Sequence, residues 1–117
     1  MYKTLEITYN GEKQKLCIKL ANYAANENLA IILLEEATFD TFAYLTVNLP
    51  DFCFDGTFGF VDTNDFAGAK DLIEKYKLGY STGNRFRSGF VDYELYYFDL
   101  KEVLKYTAID WRCINND

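Results

Sequence analysis

The dipeptide Asn10-Gly11 sits between two runs, TLEITY and KLCIKL, that alternate apolar and polar residues. Asn-Gly suits the two positive-φ positions of a tight turn, and strict alternation is the period of a half-buried strand. The segment therefore predicts a β-hairpin. Leu5, Ile7 and Tyr9 fall on one face of its first strand, and Leu16, Ile18 and Leu20 on one face of its second. A chain that starts this way has to build on a sheet.

The rest of the sequence extends that sheet. The run LAIILLE at 29–35 reads as a buried strand, and FAYLTVNL at 42–49 as its antiparallel neighbour across EATFDT. PDFCFDGT at 50–57 carries the punctuation of a long loop. FGFVD at 58–62 reads as a short fifth strand, FVDYELYYF at 90–98 as a sixth burying Val91, Tyr93, Leu95 and Tyr97, and AIDWRCI as a candidate last strand. The helical signal centres on residues 65–78. Phe66, Ala69, Leu72, Ile73 and Tyr76 recur at helical spacing, Lys75 and Lys77 lie in the last turn, and Gly79 stands where a left-handed terminator belongs. LKEVLKY suggests a second, short helix. With 117 residues the chain has room for one core. The expected fold is thus a single α+β domain over 1–117: an antiparallel sheet of about five to six strands with one main helix on one face.

Several chemistries are disfavoured by composition. The chain has no His, which removes Ser-His and Cys-His nucleophilic pairs and His-ligated metals. Cys17, Cys53 and Cys113 are odd in number and widely spaced, which fits neither a disulfide framework nor a zinc site. The longest apolar run, LAIILL, stops at Glu35-Glu36, too short to span a bilayer, and the first residues lack the pattern of a signal peptide. No catalytic residue, metal or cofactor is expected, and the expected location is cytoplasmic without membrane contact.

Two segments invite a functional reading. In FVDTNDF, Asp62 and Asp65 could ligate a divalent cation with Asp55. The ligand order of a calcium loop is missing, however, and Thr63, Asn64 and Asp65 are residue types that cap helices, so capping is the simpler role. STGNRFRSG at 81–89 reads as a polar loop. Its Ser81, Thr82, Asn84, Arg85 and Arg87 could hold a phosphate through hydroxyls, backbone amides and guanidinium groups, although the Lys-Ser/Thr ending of a P-loop is absent. The rings of Tyr93, Tyr96, Tyr97 and Phe98 could stack bases. Asp92, Glu94 and Asp99 interrupt them, which disfavours direct nucleic-acid binding.

Charge is distributed unevenly. Residues 20–69 contain eight acids and no Lys or Arg, a net of −8 in a chain whose total is −6. Acidic loops keep an aromatic-rich protein soluble, and they also steer it toward basic partners. Glu35, Glu36, Asp40, Asp51 and Asp55 are the candidate partner-binding residues. The turn after residue 35 should gather Glu35, Glu36 and Asp40 at one end of the sheet, and the loop after Leu49 should set Asp51 and Asp55 at the other.

The succession of AYLTVNL, GFVDTN, a helix ending in Leu78-Gly79, Thr82-Gly83 and a Tyr-rich strand resembles an uncharacterised family of small acidic proteins carried on phages and conjugative elements of gut bacteria. The resemblance spans about residues 29–98 and carries over no catalytic residue. It implies a mobile-element setting, in which small acidic proteins act as inhibitors of host defence, anti-CRISPR and antirestriction proteins among them. The expected function is then a non-enzymatic inhibitor of a defence nuclease or its guide complex that binds a basic protein surface. The alternative is a module that sequesters a nucleotide or signalling molecule with the 81–89 segment.

Overall fold

A computed structural model describes residues 1–24, 26–49, 51–52, 54 and 56–112. In chain order its elements are β1 (Leu5–Tyr9), β2 (Glu12–Asn22), β3 (Leu29–Glu35), β4 (Thr41–Tyr44), β5 (Thr46–Val47), β6 (Phe58–Val61), α1 (Ala69–Tyr76), β7 (Gly79–Ser88), β8 (Val91–Phe98), α2 (Leu100–Lys105) and β9 (Thr107–Asp110). The hairpin predicted around Asn10-Gly11 forms, with both turn residues at positive φ, 52° and 79°. Its register runs from Leu5 opposite Leu16 to Tyr9 opposite Glu12.

The fold class expected from the sequence is overturned. Strand accounts for 51% of the described residues and helix for only 13%, and the strands divide between two sheets. The first sheet has the order β1-β2-β3-β4, and β9 pairs in parallel with Ile18, Lys19 and Leu20 of β2 beyond the stretch that β1 covers. The second has the order β5-β6-β8-β7.

Leu45 is the joint between them. The expected single strand over 42–49 breaks there into β4 of the first sheet and β5 of the second. The Leu45 amide donates to the Ile31 carbonyl (2.9 Å), while its own carbonyl accepts from the Asp62 amide in the other sheet (3.0 Å). As the chain leaves β3, the Ile31 amide would lose its ladder partner. The buried Thr46 hydroxyl replaces it by accepting that amide at 3.0 Å, so no buried donor is orphaned.

The two central strands of the second sheet, β6 and β8, have two apolar faces. Val61, Tyr96 and Phe98 join Leu16, Ile18 and Leu20 of β2 and Ala69, Leu72 and Ile73 of α1 in the main core. Phe60 and Leu95 face the other way, into a smaller cluster with Leu49, against which Phe52, Phe54, Phe58, Phe86 and Tyr93 pack. Burying a ring such as Phe60 or Phe98 stabilises the fold by roughly 1.5–3 kcal/mol. Asn28 and Asn26 hold the aromatic cover in place. The buried Asn28 amide donates to the Phe52 carbonyl (2.7 Å) and accepts from the Phe54 amide (2.9 Å), and Asn26 donates to the Leu49 and Phe52 carbonyls. Two loops far apart in sequence thereby become one unit.

The main helix is shorter than the 65–78 span predicted. Residues 62–68 form turns, and α1 begins only after Gly68. At the other end the left-handed residue is Lys77 (φ 55°), not Gly79, and the Leu78 amide closes on the Ile73 carbonyl at 2.9 Å. Gly79 serves a different need. A Cβ there would fall well inside contact distance of the Tyr97 carbonyl oxygen, so only glycine lets β7 start this close to β8. Among the described residues no helix is long and apolar enough to cross a membrane.

Candidate functional site

The segment expected to be a phosphate-holding loop is most of β7, and its polar groups bond within the β7–β8 hairpin. GYSTGNRFRS resembles a loop in composition because it is an edge strand of which no residue is fully buried. Its pairing with β8 skips from Ser81 to Arg85, a bulge that accommodates Thr82, Gly83 and Asn84. The Thr82 hydroxyl donates to the Leu95 carbonyl (2.9 Å) and accepts from the Asn84 amide (3.2 Å). The Ser81 hydroxyl donates to Glu94 and accepts from the Gly83 amide. Arg87 pairs with Asp92 at 3.3 Å. Glu94 is the centre of this arrangement, taking Lys70 of α1 at 2.7 Å and Arg85 at 3.1 Å on one oxygen. The hydrogen bonds from Lys70 and Ser81 hold its carboxyl below the usual range, against the opposing effect of burial.

The acids expected to bind a partner are placed differently. Phe39 donates its amide to the Glu35 carbonyl (2.7 Å), and the Glu35 amide donates to the Asp40 carbonyl (2.8 Å). This tight turn gathers Glu35, Glu36 and Asp40 as predicted. Glu36 accepts from the Tyr2 hydroxyl at 3.4 Å. Beneath the turn lies the buried Cys17, whose thiol is pushed up by burial and then by Glu36. Asp51 is exposed on the loop that covers the second sheet, and Asp55 lies outside the described residues. Asp51 and the turn acids therefore do not bracket one sheet. The switch at Leu45 carries the chain from the first sheet to the second between them.

Asp62 caps a turn and not the helix, its buried carboxylate accepting the Asp65 amide at 3.0 Å, and the helix itself starts after Gly68 without a side-chain cap. Among the described residues no three acids or thiols converge as metal ligands.

Sequence periodicity did not reveal a groove on the first sheet. One depression of about 550 Å³ separates β1 from α1 and is lined by Ile7, Thr8, Phe66, Asp71, Leu72 and Lys75, among others. A second of about 290 Å³ shares Tyr9, Asp65 and Phe66 with it and extends to Glu35 and Phe42. Tyr9 and Phe66 of their common wall both pack edge-on to Phe42 of the smaller one, at 5.4 and 6.2 Å. Glu35 thus shares a surface with Asp65, which reads in the sequence as a capping residue, and with Asp71, which reads as one more polar position of a helix.

All five ion pairs among the described residues lie within residues 70–112. None reaches Glu35, Glu36, Asp40 or Asp65. Sheet pairing and groove together define a small, mostly β domain in which Arg85, Arg87 and Lys70 pair with acids of one hairpin and the acids of the β3–β4 turn make no ion pair among the described residues. The chain belongs to the DUF4313 family: the sequence model of that family, described as a domain of unknown function, matches residues 17–115. No curated protein and no solved structure matches the chain.

Proposed function

We propose that this chain is a non-enzymatic binding protein that engages a basic surface of another protein through its acidic side. In the mobile-element setting implied by the sequence resemblance, that partner is a host-defence nuclease or its guide-bound complex, and binding inhibits it. The carrying observation is the segregation of charge: Lys70, Arg85, Arg87, Lys105 and Arg112 are paired with acids of the C-terminal half, and Glu35, Glu36 and Asp40 have no cationic partner among the described residues. Unpaired carboxylates accelerate encounter with a basic groove and penalise acidic competitors, while exposed rings such as Tyr9 and Tyr44 contribute short-range affinity. The alternative, sequestration of a nucleotide by Ser81, Thr82, Asn84, Arg85 and Arg87, receives less support because those side chains are largely engaged inside the hairpin.

The test is inhibition of purified restriction and RNA-guided nucleases by the chain. Stoichiometric inhibition of at least one is expected, relieved at about 0.5 M salt and weakened by the double reversal Glu35→Lys/Glu36→Lys. If no nuclease is bound, or if neither salt nor charge reversal alters the binding, the proposal fails.

A further inference from the structure

We propose that the groove between β1 and α1 takes an extended, basic segment of a partner protein, which adds to the free edge of β1 at Thr8. The sign of the partner's charge rests on the function proposed above; the edge itself follows from the Asn10-Gly11 turn. A two-residue turn with both residues at positive φ is closed by a pair that exchanges both backbone hydrogen bonds, here Tyr9 and Glu12. Bonding alternates along an antiparallel ladder, so Ile7 and Leu5 also bond β2. The amides and carbonyls of Glu6 and Thr8 point the other way, toward α1. Glu6 confirms that parity, because its amide donates to the Tyr76 hydroxyl at 2.8 Å and its carbonyl accepts from Lys75 at 3.4 Å.

Side chains of α1 therefore close the edge at Glu6. At Thr8 no equivalent cover exists among the described residues, and the groove of about 550 Å³ opens at that point. An open strand edge beside a helix is the geometry in which an extended peptide can add as a further strand, with backbone bonds giving affinity and alternate side chains giving specificity. Charge complementarity selects the occupant. Glu6, Asp65 and Asp71 line the groove against one cation, Lys75, and Glu35 lies along its continuation past Tyr9 and Phe66. The segment that fits carries an apolar residue against Phe66 and the half-exposed Tyr9 ring, with Lys or Arg two residues away to meet Asp65 or Asp71.

The experiment selects displayed random short peptides on the full chain and measures the affinity of synthetic copies. Selected peptides are expected to be basic, with an apolar and a basic residue two positions apart, and to perturb the Thr8 amide signal in NMR spectra. Thr8→Pro removes the outward N–H without touching a β2 bond, and should weaken binding at least about tenfold. Asp65→Lys/Asp71→Lys, in the exposed turn before α1 and in its first turn, should weaken it to a similar degree. The proposal is overturned if no peptide is selected, if selected peptides are neutral or acidic, if their signals map away from Thr8, or if a folded Thr8→Pro variant binds normally. The two proposals can fail separately. Nuclease inhibition without Thr8-dependent peptide binding removes only the groove, and Thr8-dependent binding of basic peptides without nuclease inhibition removes only the nuclease target.

Discussion

The β7–β8 hairpin and the turn between β3 and β4 treat charge in opposite ways. On the hairpin every carboxylate has a cation: Asp92 takes Arg87, and Glu94 takes both Lys70 and Arg85. On the turn Glu35, Glu36 and Asp40 share a few residues of backbone, and among the described residues their carboxylates form no ion pair, although the Glu36 amide donates to the Lys15 carbonyl (3.0 Å). The hairpin's charges are spent on structure, where they join α1 to the second sheet. The turn's carboxylates join no elements in that way; Glu36 accepts the Tyr2 hydroxyl at 3.4 Å.

The comparison breaks most severely at Gly79. Gly79→Ala forces a methyl group against the Tyr97 carbonyl at the start of β7 and should destabilise the protein by about 3 kcal/mol or more. Urea denaturation will measure it, and a near-neutral result would mean that the hairpin does not need its close approach. Glu94→Gln is the next largest. It replaces charge-assisted bonds from Lys70, Arg85 and Ser81 with neutral ones and should cost about 1–2 kcal/mol, since both cations can rehydrate. The pH dependence has a definite sign. Glu94 has a lowered folded-state pKa, so its contribution is fully present above the unfolded carboxylate value and is lost as pH falls through the folded one. Acid titration of stability below about pH 4.5 should therefore flatten in the Gln variant. The smallest effect belongs to the turn. Glu35→Gln/Glu36→Gln/Asp40→Asn should change stability by no more than about 0.5 kcal/mol, toward greater stability, because like-charge repulsion is removed while an amide oxygen can still accept the long bond from Tyr2. Thermal melts at low and high salt will check it, since added salt should stabilise the wild type more than the triple variant.

The sequence made local geometry legible wherever one residue type had one physical explanation. Asn10-Gly11 gave the hairpin and its register, LAIILLE gave a buried strand, and the break after residue 35 gathered Glu35, Glu36 and Asp40. What stayed hidden depended on distant partners. Residues 42–49 alternate smoothly, and nothing in them marks Leu45 as the point where a strand changes sheet; Asp62 and Ile31 decide it. GYSTGNRFRS has loop composition because it forms an edge with little burial. Helical periodicity ran past both ends of α1, because Phe66 and Leu78 are buried by the turns flanking the helix as well as by a helix itself. The groove was least visible of all. Asp65 reads in sequence as a capping residue and Asp71 as one more polar position of a helix, and only the fold sets both beside Thr8 and Tyr9.

The parallel pairing of β9 with β2 also governs when this protein can fold. Ile18 donates its amide to the Tyr106 carbonyl, and the Leu20 carbonyl waits for the amide of Trp111. A nascent chain that has emerged only as far as β8 lacks those partners, so the middle of β2 presents bare backbone although the hairpin before it is complete. Domains generally fold as units during synthesis. Here the unit closes only when residues near 110 arrive at residues near 20, a contact whose long separation in sequence makes it slow. Completion of the first sheet therefore awaits its C-terminal strand, although β1 to β4 pair among residues close in sequence.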